Sequence, residues 1–371
     1  MALTRIQPPA VADVREPNFR NIVINGDMAV AQRGTTATGI GNGDNACHTV
    51  DRFSFYEEGA TSGEFTMSQD TDVPTGQGFA KSVKLDCTTA DGTLAAAEVA
   101  ALEYKMEGQD LQYIKKGTSN AESLTLTFWV KTNKTGTYVV TWYDNDNDRQ
   151  TSQNYTVSVA DTWEKKNITF APDTSGTLTN DNTLALAMYF ILGAGTDYTS
   201  GSAATAWEVF TGNADNWCGG QTVNMLDNTA NYINITGVQL EAGSVATDFE
   251  VVPYDQSFFR CQRYCVIGGR EQVYNEIGNL GIAFSTTQAD NNIYLYQPMR
   301  TIPSLTQSGS FQLSDASSAS ATTSITLMTT QSSSNNVSLR SVVSSGLTDK
   351  RPYRLEAANS AAAYILLSAE L

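Results

Sequence analysis

Short runs in which apolar and polar residues alternate, separated by Asn, Asp, Gly and Thr, recur along almost the whole chain. Alternation with a period of two predicts β-strands that bury one face, and the turn residues predict tight connections between them. Strands this short and this numerous are typical of β-sandwiches, so the sequence predicts an all-β protein. The first group of runs covers residues 63–69, 82–89, 102–108, 123–132, 136–144, 154–159, 164–172, 184–192 and 231–240.

A change of period within residues 231–265 separates this group from a second one. Pro253 disfavours a helical conformation at the residue before it, so an extended segment ends there. After Pro253, apolar residues recur at helical spacing at Phe258, Cys261 and Tyr264, which predicts one short helix. Cys261 and Cys265 would share one face of it. The second group of runs covers residues 279–285, 292–297, 311–313, 324–329, 337–343, 353–356 and 363–371.

These patterns divide the chain into four predicted segments. Residues 1–20 hold three of the nine prolines and little periodicity, which indicates a docking arm or, alternatively, a frayed terminus. Residues 21–253 are predicted to form the first sandwich and residues 254–268 the linker helix. Residues 269–371 are predicted to form a smaller β-sandwich domain, with the Ser-rich stretch 314–324 as a surface loop.

The start of the first sandwich carries a turn signal. Residues 22–30 place Asn-Gly-Asp between two apolar runs, which predicts a strand–turn–strand hairpin because Asn and Gly tolerate positive φ. The Gly/Thr/Asn-rich segment that follows is predicted to be a loop, and residues 47–53 are predicted to begin a strand. Arg33, Asp51 and Arg52 are predicted to form a structural ion-pair group that ties the hairpin to that strand.

Charge and composition exclude several classes of function. The formal net charge is −16, with 39 acidic against 23 basic residues, so a basic surface for nucleic acid or for an anionic membrane is missing. No run approaches the ~18 apolar residues of a membrane span, and the N-terminus has no signal-peptide core. We therefore expect no membrane insertion and synthesis in a cytoplasm. The five cysteines are too few and too scattered for a disulfide scaffold, and Cys261 and Cys265 are predicted to be buried free thiols.

Catalytic signals are weak. His48 is the only histidine, so a zinc site or a Ser/His/Asp triad would need unusual parts. No nucleophile-elbow, phosphate-binding or H-E-x-x-H motif occurs. Paired carboxylates can cleave glycosidic bonds, but such pairs also arise by chance in an acidic protein. The sequence therefore predicts no enzyme, with the carboxylates to examine being Glu98, Glu103, Glu107, Asp110 and Glu122.

One acidic turn is a candidate metal site. Asp144, Asp146 and Asp148 alternate with two asparagines after a predicted strand, and carboxylate and amide oxygens suit Ca²⁺. The pattern departs from an EF-hand loop, because Arg149 stands where Gly is needed and Tyr155 where the bidentate Glu should be. A solvated hairpin turn is the alternative. We predict no required cofactor, with Ca²⁺ as the one candidate ion.

Aromatic residues are the candidates for sugar binding, since their faces stack on apolar pyranose surfaces. The long Gly/Asn-rich stretch 193–222 is an insertion of the kind that carries recognition on a rigid sandwich. Trp129, inside a predicted strand, is expected to be a core residue, and Trp163 to serve packing. The predicted glycan-binding residues are Trp207, Trp217, Trp142 and Tyr143.

Both ends of the first sandwich also carry a resemblance. The residues NIVINGDMAVAQRG (21–34) with VDRF (50–53) resemble the opening of a domain found in bacteriophage tail-fibre and related virion proteins. The residues GVQLEAGSVATDFE (237–250) with CQRYC (261–265) resemble the end of that domain. The pattern between them is similar to the core hairpins of carbohydrate-binding-module jelly rolls. The segments LYQPMRTIPSLT and YILLSAEL resemble the small C-terminal β domain of many phage fibre proteins.

This resemblance implies a fold and a function. The fold would be a jelly-roll sandwich, a short helix and a smaller C-terminal β domain, assembled as a parallel homotrimer. The function would be that of a non-enzymatic virion protein on a phage tail or capsid surface. In the first hypothesis, the protein is a tail fibre or receptor-binding subunit. Its arm binds other virion proteins, and its β domains contact host surface glycans. The alternatives are a capsid decoration (cement) or head-fibre protein and, third, a glycan-cleaving tailspike.

Overall fold

A computed structural model describes residues 20–212, 214–315 and 317–371. Within these ranges β-strands build the fold and the helices are short, which confirms the predicted all-β class. The predicted docking arm lies outside the described residues, except for Arg20. None of the helices in the described ranges is long and apolar enough to cross a membrane.

Twelve strands form a sandwich of two six-stranded sheets, and all strand pairs in it are antiparallel. They are β1 (Thr36–Gly41), β2 (Phe53–Glu58), β3 (Glu64–Asp70), β4 (Ser82–Thr89), β5 (Val99–Glu107), β6 (Leu124–Thr132), β7 (Gly136–Asp144), β8 (Arg149–Val157), β9 (Glu164–Phe170), β10 (Leu184–Ala194), β11 (Glu208–Val209) and β12 (Tyr232–Ala242). Sheet A has the order β1-β3-β4-β12-β6-β9, and sheet B has the order β11-β8-β7-β10-β5-β2. The chain crosses repeatedly between the sheets, as in a jelly roll. We call this the sandwich unit.

Every run of the first predicted group overlaps a strand of the sandwich unit, although β5 and β8 begin three and five residues earlier than predicted. The predicted Gly/Thr/Asn loop was wrong in one part, because Thr36–Gly41 forms β1 at the edge of sheet A. This strand is irregular: its register against β3 shifts between Ala37 and Ile40, and Gly39 and Gly41 have positive φ. The Gly and Thr residues of this segment predicted a loop, but an edge strand, which pairs on one side only, tolerates them.

The core lies between the two sheets and follows the alternation of each strand. On β6, Leu126, Phe128 and Val130 are buried in the core cluster. Thr127 and Trp129 point to the opposite, outer face, since successive side chains of a strand alternate. The expectation that Trp129 is a core residue was therefore wrong.

The predicted hairpin at residues 22–30 is not formed. This segment makes a turn that docks on β12, with the Ile22 amide donating to Leu240 (3.0 Å) and the Val238 amide donating to Gly26 (2.8 Å). A Cβ on Gly26 would lie 2.0 Å from the Val238 carbonyl oxygen, so only glycine fits. Pairing of β4 with β12 ends at Ile235, which leaves the rest of β12 open to this segment. The two stretches that carry the sequence resemblance are thus in contact.

The predicted linker helix is shorter than residues 254–268. A single turn, α1 (Thr196–Thr199), lies in the long insertion, and the linker helix α2 spans Tyr254–Cys261. Cys265 does not share a helix face with Cys261, because it begins the next strand. Both thiols are buried and free, as predicted.

The second group of strands forms what we call the C-terminal unit. It contains β13 (Cys265–Gly269), β14 (Gly281–Ala283), β15 (Gln288–Tyr294), β16 (Ser304–Ser308), β17 (Phe311–Ser314), β18 (Ala319–Leu327), β19 (Asn336–Val343), β20 (Pro352–Ala357) and β21 (Tyr364–Ser368). Six of them close into a barrel with the order β14-β15-β19-β18-β17-β20, and β13-β21-β16 form a small sheet. The strands predicted as a second sandwich therefore close on themselves. Half of the predicted Ser-rich loop belongs to β18, which pairs with a strand on each side.

Buried charged groups join the two units. Glu107, fully buried at the end of β5, accepts hydrogen bonds from the Arg263 guanidinium at 2.7 and 2.6 Å and from the Tyr264 hydroxyl. The buried guanidinium of Arg52 lies over the Tyr264 ring and donates to Glu370. These contacts tie the residues after α2 and the end of the chain to the sandwich unit.

The predicted ion-pair group at the start of the sandwich unit is present, with a wider role. Arg33 lies 3.8 Å from Asp51 and 3.2 Å from Glu370. Arg52 also pairs with Glu370, so both arginines reach the C-terminal unit. Burial raises the pKa of Asp51 to about 6, although Arg33 opposes the shift.

Candidate functional site

A pocket of about 220 Å³ opens on the outer face of sheet A. Trp129 of β6 forms its floor, Lys165 of β9 lies at its rim, and Asp27 enters from the turn that docks on β12. Its walls are the loop between β3 and β4 at residues 77–79 and the segment after β12 at residues 248–251. We call it the Trp129 pocket. It assembles residues from six separate parts of the sandwich unit.

Three aromatic side chains give the pocket its apolar surface. Phe79 and Phe249 meet edge to face, with ring centroids 5.0 Å apart at 74°, an arrangement that aromatic pairs favour. Trp129 is half-buried, and its indole N–H makes no hydrogen bond to any residue in the described ranges. The pocket therefore offers an aromatic floor with a free hydrogen-bond donor.

A β-bulge in β12 shapes the pocket. Thr236 pairs with Trp129 and Gln239 with Thr127, so β12 has one residue more than β6 between these pairs. Gly237 lies in the bulge with φ +61°, and a Cβ there would lie 2.6 Å from the Phe79 ring. Bulges re-aim side chains next to binding sites. Here the bulge and its glycine let Phe79 close one wall.

The wall at residues 248–251 is held in place by hydrogen bonds. Gln239 donates to the Asp248 carbonyl (3.1 Å) and accepts from the Glu250 amide (2.7 Å). Glu250 in turn accepts from the Asn21 amide (2.9 Å), and Arg20 donates to the Asp248 carbonyl. A wall fixed at several points keeps Phe249 in its orientation, so the pocket is formed before any ligand enters.

The polar groups of the pocket are two carboxylates and one ammonium. Asp27 is half-buried, and this burial raises the pKa of its carboxyl although backbone N–H groups oppose the shift. Asp248 and Lys165 are exposed at the rim. An aromatic floor with carboxylates beside it can hold a ring that has one apolar face and hydrogen-bond donors at its edge.

The four aromatic residues predicted to bind glycans lie elsewhere. Trp142 is completely buried in the sandwich core, edge to face with Phe170. Trp217 is buried on the outer face of sheet B, 5.0 Å from Tyr189, where the insertion covers that sheet. Neither has a face that a sugar could reach in this structure.

Trp207 and Tyr143 are half-buried and also have packing partners. The Trp207 indole donates to the Ala171 carbonyl (3.1 Å), and its ring lies 4.9 Å from the Lys116 ammonium. Tyr143 donates to Asp148, and burial and this carboxylate raise the pKa of its phenol to about 12. The structure does not bring the four predicted residues together in one site, and a glycan role for them stays a prediction.

The three predicted calcium ligands do not converge either. Asp144 is fully buried and pairs with Lys116, while Asp146 accepts from the Thr179 amide (2.9 Å). The Asp148 carboxylate accepts a hydrogen bond from the Tyr143 hydroxyl. Within the described ranges, no group of three or more His, Cys, Asp or Glu side chains is placed to hold a metal ion. The Lys116 ammonium pairs with the Asp144 carboxylate and so occupies the place that a cation would take.

This geometry gives an expectation for calcium. Because Lys116 already neutralises Asp144, we expect the melting temperature to be the same, within about 1 °C, in millimolar Ca²⁺ and in excess chelator, since a ligand stabilises only by binding the folded state. Differential scanning calorimetry measures this directly. If Ca²⁺ raised the melting temperature of the wild type by several degrees but not that of Asp146→Asn, the calcium-site hypothesis would be supported again.

The five carboxylates considered for glycan cleavage are also engaged separately. Glu98 caps the Ala95 amide, Glu103 accepts from Ser54 (2.9 Å), and Glu122 pairs with Lys115. Glu107 is held by Arg263, and its neighbour Asp110 is exposed. No acid and base here face each other across the Trp129 pocket.

The described residues define a jelly-roll sandwich with a pre-formed surface pocket, joined to a small barrel. No protein-family model matches the sequence, and no curated protein is similar to it. One similar solved structure is the enzymatically active domain of tailspike protein 4 of bacteriophage CBA120 (12% identity, TM-score 0.31). The match covers 60% of this chain and 22% of that chain.

Two further similar structures are carbohydrate-binding modules. A family 11 module from a cellulosomal cellulase of Clostridium thermocellum has 9% identity and a TM-score of 0.29, with 58% of this chain and 99% of that chain covered. A tandem CBM22-1-CBM22-2 domain from Paenibacillus barcinonensis has 10% identity and a TM-score of 0.25, with 92% and 97% covered. The fold assignment rests on the strand order of this chain.

The outward position of Trp129 could have been predicted from the sequence. In LTLTFWVK the core residues Leu126, Phe128 and Val130 alternate with Thr127 and Trp129, so strict alternation places the tryptophan outside. The remaining walls come from loops that are far apart in sequence, and no local pattern indicates that they meet.

Proposed function

We propose that this protein binds glycans, without catalysing a reaction on them, through the Trp129 pocket. The observation that supports the proposal is the half-exposed Trp129 floor, flanked by the Phe79–Phe249 pair and by carboxylates that accept hydrogen bonds from hydroxyl groups. A pyranose ring has the matching surfaces, one apolar face and a polar edge. The free indole N–H supplies a donor for a ring or hydroxyl oxygen.

A glycan array probed with the wild-type chain and with Trp129→Ala tests this proposal. We expect the variant to lose tenfold or more in affinity for every glycan that the wild type binds, about 1.4 kcal/mol, because the stacking surface is gone. Calorimetric titration of the best ligand gives the ratio. Trp129 lies outside the core, so the variant is expected to fold normally.

Tyr296→Ala is the matched control, since Tyr296 is an aromatic residue 94% exposed on the C-terminal unit, away from the pocket. It should bind as the wild type does. Equal binding by wild type and Trp129→Ala would remove the pocket from the proposal. Trp207→Phe can then be examined in the same assay, because it keeps a packed ring at the residue predicted first from the sequence.

We propose that the biological setting is a phage virion, with the protein acting as a tail-fibre or receptor-binding subunit that contacts host surface glycans. The support is the sequence resemblance at both ends of the sandwich unit, whose two stretches are in contact at β12. A capsid decoration or head-fibre protein is the alternative, and a glycan-cleaving tailspike is a third. Density for the chain in a virion reconstruction separates tail from capsid, and new reducing ends on host polysaccharide would identify cleavage.

We further propose a homotrimer with the C-terminal unit around its axis. Apolar side chains on the barrel are suited to such an interface, since Leu280 and Ile282 beside and on β14 are 62% and 60% exposed. Exposed apolar surface of this kind is typical of contact sites. Gel filtration with light scattering measures the mass, and a monomer at all concentrations contradicts this part of the proposal.

A further inference from the structure

The carboxylates of the Trp129 pocket stand outside the ion pairs of the sandwich unit. Neither Asp27 nor Asp248 has a Lys, Arg or His partner within 4.0 Å among the described residues, although ion pairs are frequent elsewhere in the sandwich unit. Asp27 is held in the tight turn against β12, and its partial burial raises the pKa of its carboxyl. A partly desolvated carboxylate without a counter-charge gains most from a cationic partner.

The bases near the pocket are placed differently. Arg20, which donates to the Asp248 carbonyl behind the wall, pairs with Glu241 at 3.2 Å. Lys165 is exposed on β9, and its long side chain can keep its ammonium in water. Asp27 cannot move away in the same manner, because the turn that carries it is bonded to β12. The fixed charge inside the pocket is therefore negative, and the whole chain, with a net charge of −16, adds to that field.

We propose that the Trp129 pocket selects amino sugars, meaning hexosamine residues with a free protonated amine, over neutral hexoses and against hexuronic acids. This inference rests on the proposed glycan-binding function of the same pocket. The ammonium donates charge-assisted hydrogen bonds to Asp27, which are stronger than those from a hydroxyl. An indole face beside it attracts the same cation. A uronic acid places a second carboxylate next to Asp27 and is repelled.

Three β-1,4-linked tetrasaccharides that share the equatorial pyranose geometry test the selection. They are made of glucosamine, of glucose and of glucuronic acid. The first differs from glucose only in the amino group at C2 of each ring, and the last only in the carboxylate at C6. Calorimetric titrations at about pH 6, below the pKa of an ordinary amino group, are run with wild type, Asp27→Asn and Trp129→Ala. We expect glucosamine to bind at least about tenfold tighter than glucose, and glucuronic acid to bind most weakly.

Asp27→Asn should abolish this preference, because the variant should lose about tenfold more affinity for the glucosamine tetrasaccharide than for the glucose tetrasaccharide. Asp197→Asn is the matched control, because it removes the same charge from an exposed position in the insertion on the other sheet. It should retain the full preference. A preference that Asp27→Asn and Asp197→Asn change equally reflects net charge and overturns the inference.

The outcomes separate this inference from the proposed function. Equal affinity for the three tetrasaccharides, lost in Trp129→Ala, overturns amino-sugar selection and leaves glycan binding in place. Tighter binding of glucuronic acid also overturns the selection and points to Lys165 as the governing charge. Failure of the wild type to bind any of the three overturns the selection, and a blank glycan array then removes the proposed function as well.

Discussion

Replacing Lys116 with Met should lower the free energy of unfolding by about 3–5 kcal/mol, the range for breaking a buried ion pair on one side. The Lys116 side chain is 3% exposed and pairs with Asp144 and, at 2.9 Å, with Asp173. It also donates to the carbonyls of Ser175 and Gly176 at 3.2 and 3.0 Å. Without the ammonium, Asp144 is left buried with no counter-charge. Urea denaturation of wild type and variant measures the loss.

The pH dependence of this loss follows from the two carboxylates. Burial raises the pKa of Asp144 despite the opposing contact with Lys116. Burial also acts to raise the pKa of Asp173, but hydrogen bonds from Arg149 and Lys116 outweigh it and lower the pKa. Without Lys116 both values rise, so the folded variant binds protons more readily than the folded wild type. The destabilisation should therefore be largest near neutral pH and shrink as the pH falls towards 4.

The neighbouring residue supplies the control. Lys115 is 49% exposed and pairs with Glu122, which is 40% exposed. Lys115→Met should cost no more than about 1 kcal/mol, because exposed ion pairs contribute little. Equal losses for the two variants, or a Lys116→Met loss that does not depend on pH, would contradict a buried ion pair as the source of stability.

Replacing Glu107 with Leu is expected to cost a similar amount, about 3–5 kcal/mol, and to loosen the two units from each other. The Glu107 side chain is fully buried and satisfies both the Arg263 guanidinium and the Tyr264 hydroxyl. Leucine fills a similar volume but accepts no hydrogen bond, so these donors lose their partner. Calorimetry should show a lower melting temperature, and proteolysis should cut more rapidly near residues 262–264.

Glu122→Leu is the control for this change, since it makes the same substitution at an exposed glutamate of the sandwich unit. It should alter the melting temperature little and leave proteolysis unchanged. If Glu107→Leu were as stable as the wild type and equally resistant, the junction would depend on other contacts. Arg52 with Glu370 would then be the next pair to test.

The strand content could be predicted from the sequence because alternation is a local property. Each run of the first group became a strand, since period-two patterning follows from the geometry of one strand alone. The same locality explains the failures. Residues 22–30 read as a hairpin, but their backbone groups bond to the open part of β12 instead. Residues 319–324 read as a Ser-rich loop, yet β17 and β19 supply strand partners on both sides.

The sequence by itself determined the all-β class, the position of the short helix and the buried free thiols of Cys261 and Cys265. Only the tertiary structure decided that the second group of strands closes into a barrel, and that Asp27, Phe79, Trp129 and Phe249 share one pocket. The physical reason is register. A single bulge in β12 and the turn at Gly26 set which distant residues meet, and neither pairing leaves a periodic trace in the chain.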